Sequence, residues 1–199
     1  MGCKYKLVRM QFRFIFHIKK YANTCRYLLE WCSFMIKTLI PCYDSLLHTK
    51  VQKCSYNLDR SKISYRLHEN MYHYNGIGLS ANQIGINERV FVMISDLDTQ
   101  ETITCFNPKI LKYSKDTVVM EEGCLSYPDV YLDVSRPESV VVKYEDEGKK
   151  VHKVKLEGLA ARVFQHEYDH MEGIDFSQRA NVAINLSLIH ISEPTRHVD

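Results

Sequence analysis

The stretch Gln165-His166-Glu167-Tyr168-Asp169-His170 decides how this chain is read. It holds two histidines four residues apart, with a glutamate directly after the first. On a helix, positions i and i+4 lie one above the other on the same face. Two imidazole nitrogens can then converge on one metal ion, and the glutamate can reach a water bound to that ion. Leu159, Val163 and Phe164 supply an apolar stripe and Gly173 a C-terminal stop, so the segment is expected to be helical. The bland alternative is a surface helix that carries two histidines by accident, in a chain with nine of them. A third ligand has to decide between the two.

Working outward, the stretch that offers one is Glu121-Glu122-Gly123-Cys124-Leu125-Ser126. A cysteine directly after glycine, in a turn between strand-like runs, can present an accessible thiolate; an isolated cysteine is more often a buried structural residue. Combined with the histidine pair, the arithmetic changes. One thiolate and two imidazoles make three protein ligands and leave the fourth tetrahedral position open, the layout of a catalytic metal site.

Around these two stretches the chain reads as strands and one further helix. Residues 140–144 and 151–156 are β-branched runs joined by the turn-rich 145–150, a hairpin that leads through Glu157-Gly158 into the metal helix. Residues 90–94 and 102–106 flank the polar 96–100, and 110–113 and 118–120 flank a turn at 114–116. Ile63, Leu67 and Met71 form an i, i+4, i+8 stripe, so residues 59–74 read as an amphipathic helix capped by Asp59 or Ser61. Between that helix and the first strand lies Asn75-Gly76-Ile77-Gly78-Leu79-Ser80-Ala81-Asn82-Gln83-Ile84-Gly85. Its Gly-x-Gly-x-x-Ala is not a dinucleotide fingerprint, because that motif needs a strand before it and a helix after it. The glycines instead imply a backbone that a ligand or the metal helix approaches closely.

The ends differ from this middle. Residues 1–38 carry Lys4, Lys6, Arg9, Arg13, Lys19, Lys20, Arg26 and Lys37 against the single acid Glu30, with Phe12, Ile15, Phe16 and Ile18 interspersed. A basic, acid-poor, amphipathic start is the pattern of an organellar transit peptide. The scarcity of serine counts against it, and an extension with no targeting role is the competing reading. Met1-Gly2-Cys3 does not make a myristoylation signal, since Lys6 stands where Ser or Thr is expected. Residues 31–40 are the longest apolar patch, interrupted by Lys37 and ended by Pro41, and are expected to pack on the core. The working division is 1–38 extension, 39–180 catalytic domain and 181–199 tail.

Bulk numbers narrow the class. Apolar residues at 45% and charged residues at 25% suit a soluble globular protein. A net charge of +2 makes no case for nucleic-acid binding, and no apolar run approaches the length of a membrane span. The seven cysteines are odd in number and contain no Cys-x-x-Cys, which reads as a reducing compartment or free thiols.

Three stretches taken together, Gly76 to Gln83, Glu122 to Ser126 and Gln165 to His170, resemble in order the motifs of the peptide deformylase family. The resemblance runs from about residue 39 to about residue 176. It implies an α+β fold in which antiparallel β-sheets surround a central helix bearing the His-Glu-x-x-His motif. It also implies hydrolysis of the N-formyl group from the formyl-methionine of newly made polypeptides, releasing formate. Carried over by position, Cys124, His166 and His170 would hold one divalent metal, Fe²⁺ first, with Zn²⁺, Ni²⁺ and Co²⁺ also accommodated. Glu167 would be the general base and then the general acid. Gln83 and the backbone N–H of Leu125 would stabilise the oxyanion. Gly78 would hydrogen-bond an extended peptide, and Ile77, Met120 and Val163 would line the methionine pocket. The partners implied are N-formyl-methionyl nascent peptides near the ribosome exit, with neither nucleic acid nor membrane. The compartment would be a mitochondrion or plastid, or else a bacterial cytoplasm.

Departures from the family pattern are Ser80 in place of a small alanine and Asp175 in place of an apolar residue. A clear C-terminal helix after Phe176 is also lacking. Two competing readings stay in view. A zinc endopeptidase would leave Gln83 and Cys124 without a role, and a non-catalytic metal-binding relative would have no use for Glu167.

Overall fold

A computed structural model describes residues 36–180, which belong to one compact unit beginning at Ile36. The basic extension up to residue 35 and the 181–199 tail lie outside the described residues, and so does the first half of the 31–40 apolar patch. The second half does pack inward: Leu39 lies against an apolar cluster, and the Ile40 N–H donates to the Gln83 carbonyl at 2.9 Å.

A short 3₁₀ turn, Ser45–His48, is capped by the Asp44 carboxylate. Helix α1, Arg60–His73, follows as its stripe requires: Leu67 and Met71 are fully buried, and the Asp59 carboxylate accepts the Lys62 N–H at 3.0 Å. Among the described residues, two sheets form. The larger has strands β1 (Gly78–Ser80), β2 (Val90–Asp96), β3 (Glu101–Tyr113), β6 (Ser139–Glu145) and β7 (Val151–Glu157), in the order β1-β2-β3-β6-β7 and wholly antiparallel. The smaller is a hairpin of β4 (Thr117–Cys124) and β5 (Tyr127–Pro137). Helix α2, Gly158–Glu172, carries the metal motif, and the short α3, Phe176–Arg179, follows it. The family-based expectation of an α+β fold with antiparallel sheets around a metal-bearing helix holds.

Helix α2 is placed by its apolar face. Ala161, Val163, Phe164 and Met171 pack with Phe91, Met93, Cys105, Val140 and Val142 of the larger sheet, and Phe164 meets Phe91 edge-on at 5.1 Å. Burying such side chains stabilises by roughly 1.5–3 kcal/mol each. The second face of the same sheet is covered by α1, with Leu67 and Met71 against Leu79, Val90, Val92, Ile94 and Phe106. Leu159 was expected in the stripe of α2, but it stands exposed at the helix start. The helix ends at Gly173, whose φ of +72° is left-handed.

Two sequence expectations are revised here, and the departure at Asp175 is accounted for. Residues 102–106 and 110–113 are one strand, β3, because register shifts at Phe106/Lys109 and Ile110/Lys112 absorb Asn107-Pro108 without ending the pairing. Strand β5 was not foreseen, although Val130, Leu132 and Val134 alternate along it with polar residues. Asp175 is neither exposed nor unpaired. It is buried, and its Oδ1 accepts from the Ser177 N–H at 2.8 Å, the Gln178 N–H at 3.3 Å and the Ser177 hydroxyl, capping α3. None of the helices among the described residues is long and apolar enough to cross a membrane.

Candidate metal centre

Three elements bring the site together. Helix α2 presents His166, Glu167 and His170, the last residue of β4 is Cys124, and the 3₁₀ turn Ala81–Ile84 after β1 carries Gln83. The ligand atoms of Cys124, His166 and His170 all lie within 4.8 Å of one another, and Cys124 Sγ is 3.3 Å from His170 Nε2. Cys124 closes a strand where a turn was expected. The register shift between Gly123 and Cys124 is the local cause: it ends regular pairing with β5 at the point where the thiol turns to the helix.

The donors suit a divalent ion, and the surroundings of His166 support that fit. His166 Nδ1 lies 3.0 Å from Glu122 Oε2, so the carboxylate selects the tautomer with the proton on Nδ1 and leaves Nε2 as the donor atom. Glu122 is itself held by four contacts: Arg136 Nε at 2.6 Å, Arg136 Nη2 at 3.0 Å, Arg162 Nη1 at 2.8 Å and His166. Burial works to raise its pKa, but the bonds to His166 and Arg136 win and hold it well below the ordinary carboxylate range. Burial likewise opposes charge on His166, yet Cys124 and Glu122 beside it raise its pKa well above the usual imidazole value. His170 goes the other way: burial, then the charge of His166, pushes it well down. A metal held at His166 Nε2 would therefore have to displace a proton there, whereas His170 has none to lose.

Glu167 is buried beside these groups, and burial raises its pKa, against the lowering effects of His166 and of the Ser80 hydroxyl. A carboxylate whose pKa is moved toward neutrality is suited to take and return a proton. Gly78 explains its own residue type: a Cβ there would stand 2.5 Å from Glu167 Oε1 and 2.9 Å from Val163 Cγ1. The close approach expected of the glycine-rich stretch is thus the metal helix itself. The side-chain amide of Gln83 is buried, with Nε2 at 3.5 Å from Cys124 Sγ and 3.1 Å from Ser126 Oγ.

The structure thus brings together Cys124, His166, His170, Glu167, Gln83, Gly78 and Val163. Leu125 is half-buried and approaches Gly76, where an added Cβ would meet its Cδ1 at 2.8 Å. Ile77 is 43% exposed, which leaves its side chain open to a ligand at the sheet edge. Met120 lies half-buried on β4 opposite Val134, four residues before Cys124. Its part in a methionine pocket rests on the resemblance.

Sequence reasoning missed the polar frame behind the ligands. Arg136 of β5 bridges Glu122 and Asp169, donating to Asp169 Oδ2 at 2.6 Å, and Arg179 of α3 closes on the same carboxylate at 2.6 and 3.0 Å. Arg162 donates to the Val134 and Val118 carbonyls at 2.9 and 2.5 Å, tying α2 to both strands of the hairpin. The partners stand 10 to 44 residues apart in the chain, outside any single helix turn or hairpin pattern that would mark them. A family model for polypeptide deformylase matches residues 36–184 of this chain.

The chain belongs to the peptide deformylase family.

The peptide deformylase of Thermotoga maritima is 43% identical over 123 residues, 62% of this chain and 73% of that protein. The crystal structure of a peptide deformylase from the same species superposes with a TM-score of 0.68 at 36% identity, covering 72% of this chain and 97% of the other. A chloroplastic peptide deformylase 1B of Oryza sativa is 46% identical over 117 residues, 57% of this chain and 43% of that protein. The peptide deformylase relatives thus include bacterial and chloroplastic proteins.

Proposed function

We propose that this chain is a peptide deformylase that hydrolyses the N-formyl group of formyl-methionyl nascent peptides and releases formate. The observation that carries the reading is the meeting of three ligand atoms with a buried glutamate and a buried amide. Cys124, His166 and His170 would hold one divalent metal, whose contribution when bound is Lewis acidity toward the formyl carbonyl and toward water. Glu167 takes a proton from the attacking water as its oxygen bonds to the formyl carbon. It then gives that proton to the amine nitrogen as the C–N bond breaks. Gln83 Nε2 and the Leu125 backbone N–H donate to the oxyanion, and one such donor is commonly worth about 2.7–4 kcal/mol. Gly78 and its neighbours receive the peptide backbone, while Ile77, Met120 and Val163 receive the methionine side chain.

A thiolate among the ligands suits Fe²⁺ or Zn²⁺ and is also compatible with Ni²⁺ and Co²⁺; Fe²⁺ is put first on the family resemblance. The basic composition of residues 1–38 supports an organellar address, a plastid or a mitochondrion, with a bacterial cytoplasm as the alternative. Residues 39–180 are the catalytic domain in this reading, and the substrate is met near the ribosome exit.

The test is formate release from formyl-Met-Ala-Ser by the full chain, with the peptide products separated in parallel. Formate and intact Met-Ala-Ser in equal amounts are expected. Cleavage at an internal peptide bond would instead mark an endopeptidase. Bound metal without either product would mark a binding protein.

A further inference from the structure

Ser80 stands where the family motif usually carries alanine, and it is fully buried. Its hydroxyl lies 2.6 Å from Glu167 Oε2 and 3.2 Å from the Glu167 carbonyl oxygen. A hydroxyl has one proton to donate, and the short contact to the carboxylate is the charge-assisted and stronger of the two. The same residue holds the other acting group through a different atom. Its backbone N–H donates to Gln83 Oε1 at 2.9 Å, which leaves Gln83 Nε2 pointing to Cys124 and Ser126. On the far side of the glutamate, Oε1 lies against Gly78, where an added Cβ would stand 2.5 Å from it. Oε2 is therefore engaged by Ser80 and Oε1 is left beside bare backbone. Glutamate has three side-chain torsions, the last of them soft, and among the described residues the Ser80 hydroxyl is the hydrogen-bond donor that holds this one.

We propose that Ser80 is a positioning residue for deformylation: its hydroxyl fixes the Glu167 carboxylate so that Oε1 is the oxygen that exchanges the proton of the reaction. This rests on the reading of Glu167 as general base. The family's usual alanine means that the reaction itself does not require the hydroxyl. What Ser80 adds is a single orientation of the base, and its loss is expected to cost little.

The experiment compares full-length, metal-loaded wild type with Ser80→Ala, Ser80→Thr and Glu167→Ala, reading kcat and KM for formyl-Met-Ala-Ser, metal per chain and thermal midpoint. Ser64→Ala is the control, a buried serine bonded to Thr104 at 2.7 Å on the other side of the sheet. For Ser80→Ala, kcat is expected to fall about threefold to tenfold, the range for one orienting hydrogen bond, with KM, metal content and midpoint unchanged. Ser80→Thr, which keeps the hydroxyl, should recover kcat. Because its extra methyl must fit a closed site, a crystal structure of Ser80→Ala supplies a second readout, in which Glu167 adopts another rotamer. An unchanged kcat with Glu167 in its original rotamer would overturn the proposal while leaving the base intact. A joint fall of kcat and midpoint, as in a packing defect, would overturn it too. Full turnover by Glu167→Ala would instead overturn the parent reading.

Discussion

In the proposed reaction Glu167 and Gln83 contribute at different moments, and their removal should be distinguishable. Glu167→Ala deletes the proton carrier but none of the three ligands, so it should keep its metal and lose about 10²–10⁴-fold in kcat. Metal content and steady-state kinetics on the same preparation check this, and loss of metal would show that its role is misassigned. Gln83→Leu keeps the volume of a buried side chain but removes the donor. A fall of about 10²–10³-fold in kcat with little change in KM is expected, since the oxyanion exists only in the transition state. At this scale the sequence was highly legible. The four-residue spacing of His166 and His170 pointed to a shared metal ion, and Cys124 does meet them; the role given to Gln83 came only from the family resemblance. The partner of the Ser80 hydroxyl was not legible, because Glu167 is 87 residues away.

At the scale of elements, the buried frame that fixes the ligands is also what fastens the β4–β5 hairpin to α2. Arg136 lies between Glu122 and Asp169, and Glu122 orients His166. Arg136→Met should leave two buried carboxylates short of donors, a defect that typically costs 3–5 kcal/mol. Urea unfolding measures it, and a parallel loss of metal affinity is expected because the Glu122–His166 contact loosens. Gly173→Ala tests the end of α2. Its φ of +72° disfavours a side chain, and an added Cβ would stand 2.8 Å from backbone carbons of His48 and Thr49. A destabilisation above about 1 kcal/mol is expected from the same titration. Elements with strong periodicity, α1, α2 and the β6–β7 hairpin, were legible. Strand β5 was obscured by Pro128 and Pro137 at its ends, and β3 looked broken because Asn107 takes a positive φ of 50° before Pro108. Only pairing with β6 shows that the ladder resumes beyond them.

For the whole molecule, charge pairs between elements set the response to acid. Arg60 of α1 donates to Glu145 Oε2 of β6 at 2.5 Å, and its guanidinium lies 4.8 Å from the Phe106 ring centre. Burial raises the Glu145 pKa, but the bonds from Arg60 and Asn107 prevail and leave it below the ordinary value. A carboxylate with a depressed folded pKa stabilises fully above its unfolded pKa, about 4.3, and loses that contribution as pH falls through the folded value. Thermal midpoints should therefore drop below about pH 4.3, and Arg60→Met should flatten the part of that drop due to Glu145. The antiparallel architecture and its central helix were anticipated from family motifs. The inter-element pairs were not, since they join residues as far apart as 60 and 145.

In the proposed reaction, one metal at Cys124, His166 and His170 makes this chain a deformylase. The most direct test is a titration of anaerobically prepared, chelator-stripped protein with Fe²⁺, following formate release from formyl-Met-Ala-Ser and metal bound per chain together. Activity that rises in proportion to bound metal, saturates at one ion per chain and is abolished by Cys124→Ala is the predicted result. Formate release that persists in the stripped protein, or that survives Cys124→Ala at full occupancy, would contradict the account.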